Sequence, residues 1–151
     1  MWCRRHMIEY GTTAEQLGTI ATTFRANAAR NPRAMKREPM SMDDYLSSRL
    51  IVEPFRLLDI CLESDGACAV LVTSAERARD LKQQPVYITG GAYGGGPFQG
   101  EDFFDAIRHP DHSHNYARYI ADDLWRSAGM GPGDMDFAEI YDCFTYSVLM
   151  Q

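Results

Sequence analysis

The sequence predicts an α/β fold, and three observations carry that prediction. Apolar residues recur at helical spacing over residues 13–29 and again over residues 115–128. Residues 67–73, Ala67-Cys68-Ala69-Val70-Leu71-Val72-Thr73, are apolar on both faces, as a central strand covered by helices would be. Strand-like and helical segments alternate along the chain, which is the order of a layered fold with a mostly parallel sheet.

In the helix expected at 13–29, Leu17, Ile20, Ala21, Phe24 and Ala28 form one apolar stripe. Thr13 and Gln16 fit a capping box at its start, and Asn31-Pro32 ends it. Residues 32–56 hold Pro32, Pro39 and Pro54 and have little periodicity, apart from a short helix beginning near Ser41 with Asp44 as capping partner. A long irregular segment inside a domain points to a loop region that handles substrate. Strands are expected at 57–60, 67–73, 86–90 and 137–141, with a Ser74-capped helix running to about Leu81. In the helix over 115–128, Tyr116, Ile120 and Leu124 mark the buried face, Gly129 takes the C′ position and Pro132 follows. A last helix over 143–150 stops inside its apolar pattern, so the sequence is expected to be part of a longer one.

At 151 residues, with 45% hydrophobic and 24% charged residues, the composition is that of an ordinary globular chain. The net charge of −6 argues against nucleic acid as a partner. The first forty residues are locally basic through Arg4, Arg5, Arg25, Arg30, Arg33, Lys36 and Arg37. The simpler reading is a solvated helix and loop; the other is a surface near phosphates, which Arg and Lys recognise. Cys3, Cys61, Cys68 and Cys143 match neither a zinc pattern nor a C-x-x-C pair. Cys61 and Cys68 lie on or beside the expected buried strand, where a free thiol acts as a small apolar group. A reducing, cytoplasmic setting follows, and no stretch approaches the ~20 apolar residues of a membrane span.

Two tempting motifs carry little. The run Gly90-Gly91-Ala92-Tyr93-Gly94-Gly95-Gly96 is followed by Pro97 and Phe98 instead of a helix, so it reads as a flexible connection and not a phosphate loop. His109, His112 and His114 lack a carboxylate framework, and no metal is expected.

Four stretches, taken together and in order, resemble the thiolase superfamily and in particular its sterol-carrier-protein thiolase and lipid-transfer branch. They are Glu9-Tyr10-Gly11-Thr12-Thr13-Ala14-Glu15-Gln16, Asn27-Ala28-Ala29-Arg30-Asn31-Pro32, Ser64-Asp65-Gly66-Ala67-Cys68-Ala69-Val70 and Glu139-Ile140-Tyr141-Asp142-Cys143-Phe144-Thr145. The resemblance implies a partial thiolase-like α/β fold: part of the loop domain at 1–56, the end of the first βαβαβαββ half at 57–83, and the start of the second half at 84–151. It also implies an interior fragment, with the family's cysteine nucleophile before residue 1 and its His and second Cys after residue 151. His109-Pro110 is then an accidental match to the family's His-Pro motif.

The same resemblance implies the chemistry. The substrate is a coenzyme A thioester, no cofactor is bound covalently, and the complete protein is a homodimer, with a small acyl-CoA-binding protein as a further possible partner. Cys61 falls where thiolases often carry a Ser that contacts CoA and where the sterol-carrier branch carries Cys. Tyr141 and Asp142 fall where common thiolases carry Asn-Glu, whose Asn helps form an oxyanion hole, and where the sterol-carrier branch carries His. A phenol ordinarily ionises near about 10, but as a positioned group it serves as acid or base. Two activities stay open: thiolase-type acyl transfer, placed narrowly first, and retro-aldol cleavage of a β-hydroxyacyl-CoA as in steroid side-chain degradation, with Tyr141 and Asp142 as the catalytic pair. A non-catalytic lipid or acyl-CoA carrier is the alternative from a different class, and a Tyr141 that only packs is the alternative for that residue.

Overall fold

The computed structural model describes residues 1–96 and 114–151. Its helical part is built from α1 (Trp2–Tyr10), α2 (Ala14–Arg30), α3 (Met42–Ser47), α4 (Ala75–Ala78), α5 (Ala117–Ala128) and α6 (Thr145–Leu149). A small antiparallel hairpin joins β1 (Leu50–Val52) to β2 (Phe55–Arg56), and short 3₁₀ turns occupy Leu57–Asp59 and Pro132–Asp134.

Local signals placed the helix ends well. Thr13 accepts from the backbone N–H of Gln16 while the Gln16 side chain accepts from Thr13 N–H, closing the expected capping box of α2. Ser41 and Asp44 do the same for α3, and Asp44 also accepts from the Ser41 hydroxyl at 2.6 Å. Those bonds hold the Asp44 carboxyl below its ordinary range. Gly129 ends α5 at φ 67°, with the N–H groups of Gly129 and Met130 both turned back to Trp125 O. Along α5 the half-buried stripe runs through Ile120, Leu124 and Ala128; Tyr116 differs from expectation and faces out, its hydroxyl donating to Gln151 Oε1.

The core lies where α1, α2, α3 and α6 meet, and Cys3, Leu17, Ala21, Tyr45 and Tyr146 are its buried apolar members. Gly18 is what lets α2 and α3 approach. A Cβ there would stand 2.6 Å from both Met42 Sδ and the Tyr45 ring, well inside van der Waals contact. Around this centre pack Met7, Met40, Leu46, Phe55, Leu58 and Met150.

The strand expectations fared differently. Residues 57–59 form a 3₁₀ turn, closed locally by Asp59 Oδ2 accepting from Arg56 N–H; Leu57 N–H donates to Arg49 O at 2.8 Å, and Ile60 forms an antiparallel bridge with Phe144. The β1–β2 hairpin lies inside the stretch expected to be irregular. Residues 67–73, 86–90 and 137–141 have no strand assignment and, apart from the half-buried Gly90 and Ile140, are solvent-facing, Val70 being 86% and Val86 94% exposed. Cys61 and Cys68 are exposed with them, not buried. A strand exists through hydrogen bonds to neighbours on either side, and such neighbours are not found among the described residues. The apolar pattern records a surface that needs cover. Helix α4 likewise stops at Ala78, short of Leu81, since it buries no residue that would stabilise a longer helix.

The glycine run packs more closely than a flexible connection would. A Cβ on Gly90 would lie 2.5 Å from Ala128 N, and Gly91 N–H donates to Ser127 Oγ at 3.0 Å. Gly90 therefore lets this segment seat against the end of α5. Pro97, Phe98, His109, Pro110 and His112 lie outside the described residues.

Candidate functional site

A cavity of about 960 Å³ opens beneath α2. Ile20, Ala21, Phe24 and Ala28, the stripe the sequence marked, supply one wall; Leu57, Leu58, Ile60 and Leu62 supply the opposite one. Arg25, Lys36 and Arg49 also line it, together with Glu38, Cys61, Asp142 and Thr145. The result is a mostly apolar chamber with three cations, the combination an acyl chain joined to phosphates would need. The basic residues of the N-terminal region fall in two places. Arg4 pairs with Glu53 and Arg5 with Glu9 on the surface, whereas Arg25 and Lys36 line the chamber.

Cys61 and Asp142, separated by 81 positions in sequence, meet at this chamber. They are brought together by the Ile60–Phe144 bridge and by Cys61 N–H donating to Cys143 O at 3.1 Å. The Phe55 and Phe144 rings, 5.1 Å between centroids, pack over the same junction. Tyr141 does not line the chamber. Its side chain is 72% exposed, one residue from Asp142, and its carbonyl accepts from Gln151 Nε2 at 3.1 Å.

Within the chamber wall sits a polar centre that the sequence reading missed, formed by Asp59 and Thr145 of the lining with Tyr45 behind them. Asp59 is 2% exposed; its Oδ1 accepts from Tyr45 OH at 2.8 Å and from Thr145 Oγ1 at 2.6 Å. Its Oδ2 accepts from Arg56 N–H, so all three bonds end on one buried carboxylate. The available signal was a lone acidic residue inside Leu57-Leu58-Asp59-Ile60. Burial, with the bond to Asp59 second, drives the Tyr45 phenol far above its ordinary range. Burial also raises the Cys3 thiol to about 11, with the Asp59 charge adding to it. Such a thiol is protonated at neutral pH and has no nucleophilic character. Among the described residues no group of three or more His, Cys, Asp or Glu side chains is gathered as metal ligands, and no helix is long and apolar enough to cross a membrane.

The thiolase-like class that the sequence resembles is borne out by comparison with known proteins. No family model matches. The chain is 40% identical over 152 residues to a steroid side-chain-cleaving aldolase of Thermomonospora curvata, covering 100% of this chain and 39% of that protein. A 17-hydroxy-3-oxo-4-pregnene-20-carboxyl-CoA lyase of Mycobacterium tuberculosis matches with the same identity and coverage. An acetyl-CoA acetyltransferase of Methanothermobacter thermautotrophicus is 37% identical over 150 residues, covering 99% of this chain and 38% of that one. Among solved structures, the Ltp2-ChsH2(DUF35) aldolase superposes with a TM-score of 0.92 at 40% identity, over 100% of this chain and 40% of that chain.

These 151 residues are thus thiolase-superfamily sequence of the sterol-carrier and lipid-transfer type, since sterol carrier protein 2 sequences match as well, and their fold is a partial thiolase-like α/β fold. The chain spans about two fifths of the length of the relatives it matches first.

Proposed function

We propose that the protein carrying this chain cleaves a carbon–carbon bond in a β-hydroxyacyl-CoA by a retro-aldol reaction. The observation that carries this reading is Asp142, a carboxylate in the lining of an apolar chamber with the exposed Tyr141 phenol next to it in sequence, in a chain whose 40%-identical relatives are an aldolase and a CoA lyase. In that reaction a base takes the proton of the β-hydroxyl, and the oxygen's electrons form a carbonyl. The Cα–Cβ bond breaks, its electron pair passes into the thioester enolate, and the enolate is protonated at Cα. A ketone or aldehyde and a shorter acyl-CoA leave. Tyr141 and Asp142 are the acid–base pair for the two proton transfers, and Cys61 contacts the coenzyme. The sterol-like acyl group suits the apolar lining, and Arg25, Lys36 and Arg49 suit the phosphates. The order of the two activities expected from sequence is thereby reversed.

Thiolase-type acyl transfer is kept as a second reading on one observation, the 37% identity to an acetyl-CoA acetyltransferase. The division into 1–56, 57–83 and 84–151 belongs to the same proposal. The packing of α1, α2 and α3 supports the first unit, although Tyr146 of the third enters its core. The homodimer rests on the resemblance alone, since the solvent-facing apolar residues at Val70–Val72 and Val86–Ile88 would be covered by the rest of the protein that carries this chain as readily as by a second copy. A second protein is supported by the solved neighbour, which is named as the Ltp2-ChsH2(DUF35) aldolase. Four free cysteines support a reducing, cytoplasmic setting.

The test is a product assay on the protein that carries this chain. A β-hydroxyacyl-CoA should yield ketone and shortened acyl-CoA in equal amounts, faster than acetoacetyl-CoA is thiolysed. Thiolysis alone would favour the second reading. Saturable acyl-CoA binding without turnover of either substrate would make the protein a carrier.

A further inference from the structure

Asp59 stands in the chamber wall but is only 2% exposed, and its two carboxylate oxygens are taken up by three hydrogen bonds whose donors come from three separate elements. Tyr45 donates from α3, Arg56 N–H from the end of β2, and Thr145 from the first residue of α6. A buried carboxylate that lost one of these donors would keep its desolvation cost without its compensation. The arrangement is therefore all-or-none, and it fixes α6 against α3.

Helix α6 in turn carries the reaction segment on its N-terminal side. Thr145 follows Asp142 by three positions, and the bond from Thr145 Oγ1 to Asp59 Oδ1 pins the start of the helix. At the other end Gln151 Nε2 donates both to Ser147 O at 3.0 Å and back to Tyr141 O at 3.1 Å. Between them, Cys61 N–H holds Cys143 O. Residues 141–145 are thus tied at 141, 143 and 145, and the tie at 145 is the buried one.

We propose that Asp59 is a positioning residue: through the Thr145 hydroxyl it sets where Tyr141 and Asp142 stand relative to the chamber. This rests on the retro-aldol reading only for its kinetic consequence, since the placement itself is a statement about geometry. A displacement of about 1 Å at reacting groups is enough to cost roughly 10²-fold in rate.

The experiment uses the protein that carries this chain, labelled with ¹³Cζ-tyrosine, with the Tyr141 signal assigned by its loss in Tyr141→Phe. Thr145→Val removes the hydroxyl at nearly constant volume, and Thr145→Ser keeps it. The Tyr141 signal should move in Thr145→Val and stay in Thr145→Ser, and kcat should fall by about 10²-fold in the first and little in the second, with KM close to wild type in both. If Thr145→Val does not fold, Asp59→Asn, which puts an amide where Arg56 N–H needs an acceptor but can keep an oxygen toward Thr145, should disturb the Tyr141 signal less than Thr145→Ala does. A Tyr141 signal indifferent to loss of the Thr145 hydroxyl, or equally moved by Thr145→Ser, overturns the proposal. A moved signal combined with a silent Tyr141→Phe upholds the positioning role and removes the retro-aldol reading instead.

Discussion

Tyr45 and Asp59 are joined by a 2.8 Å hydrogen bond in the centre of the molecule, the phenol donating to Oδ1 of the carboxylate. Tyr45 is itself fully buried, between Gly18 of α2 and the Leu57–Asp59 turn. The pair therefore links the helical core to the wall of the chamber. Its strength decides how firmly the two move together.

Tyr45→Phe should lower stability by about 1.5–3 kcal/mol, the range for a hydrogen bond to a charged group. The ring still fills its place, so packing is not the variable. Denaturant unfolding of the two proteins measures the difference. A change within about 0.5 kcal/mol would mean the Asp59 carboxylate is satisfied without the phenol.

Cys3 makes a prediction on the alkaline side. Its thiol, raised to about 11 in the fold, ionises near about 8.5 in an unfolded chain. Between these values the unfolded state gives up its proton first, so unfolding becomes more favourable as pH rises. Stability should thus be undiminished by this group below about pH 8.5 and decline from there toward pH 11. Cys3→Ala should flatten the decline between pH 8.5 and 10, read from thermal melts across that range. An equal decline in the variant would assign it to other groups, the buried Tyr45 phenol among them.

How much of this was legible in the sequence depends on the distance between partners. Thr13 with Gln16, Ser41 with Asp44, and Gly129 at the end of α5 are three-residue or one-residue signals, and each was found where the sequence put it. Asp59 was not found because its side-chain partners stand 14 and 86 positions away; nothing local distinguishes it except its polarity. Cys61 and Asp142 were singled out separately, by resemblance, and only the fold brings them to one chamber. The apolar runs at 67–73 and 86–90 were read as buried strands because periodicity reports the need for cover and not what supplies it.

Cys61 offers a test of the chamber itself. It is exposed and lines the cavity, whereas Cys68 is exposed elsewhere. With iodoacetamide at pH 8, both should label ahead of Cys3, and a bound acyl-CoA should slow Cys61 while leaving Cys68 unchanged. Mass spectrometry of the peptides reads both rates. Equal protection of the two thiols, or none, would place the coenzyme away from this cavity.

The central claim, that Tyr141 is a catalytic acid or base in carbon–carbon bond cleavage, is tested most directly by Tyr141→Phe in the protein that carries this chain. The change removes one hydroxyl from a side chain that is 72% exposed and packs little, so stability should be nearly unchanged. Turnover of a β-hydroxyacyl-CoA is predicted to fall by about 10²–10⁴-fold, the usual contribution of general acid–base catalysis, while acyl-CoA still binds. A rate within a few-fold of wild type on both the β-hydroxyacyl-CoA and a thiolysis substrate would contradict the claim and leave Tyr141 as a surface aromatic beside the site.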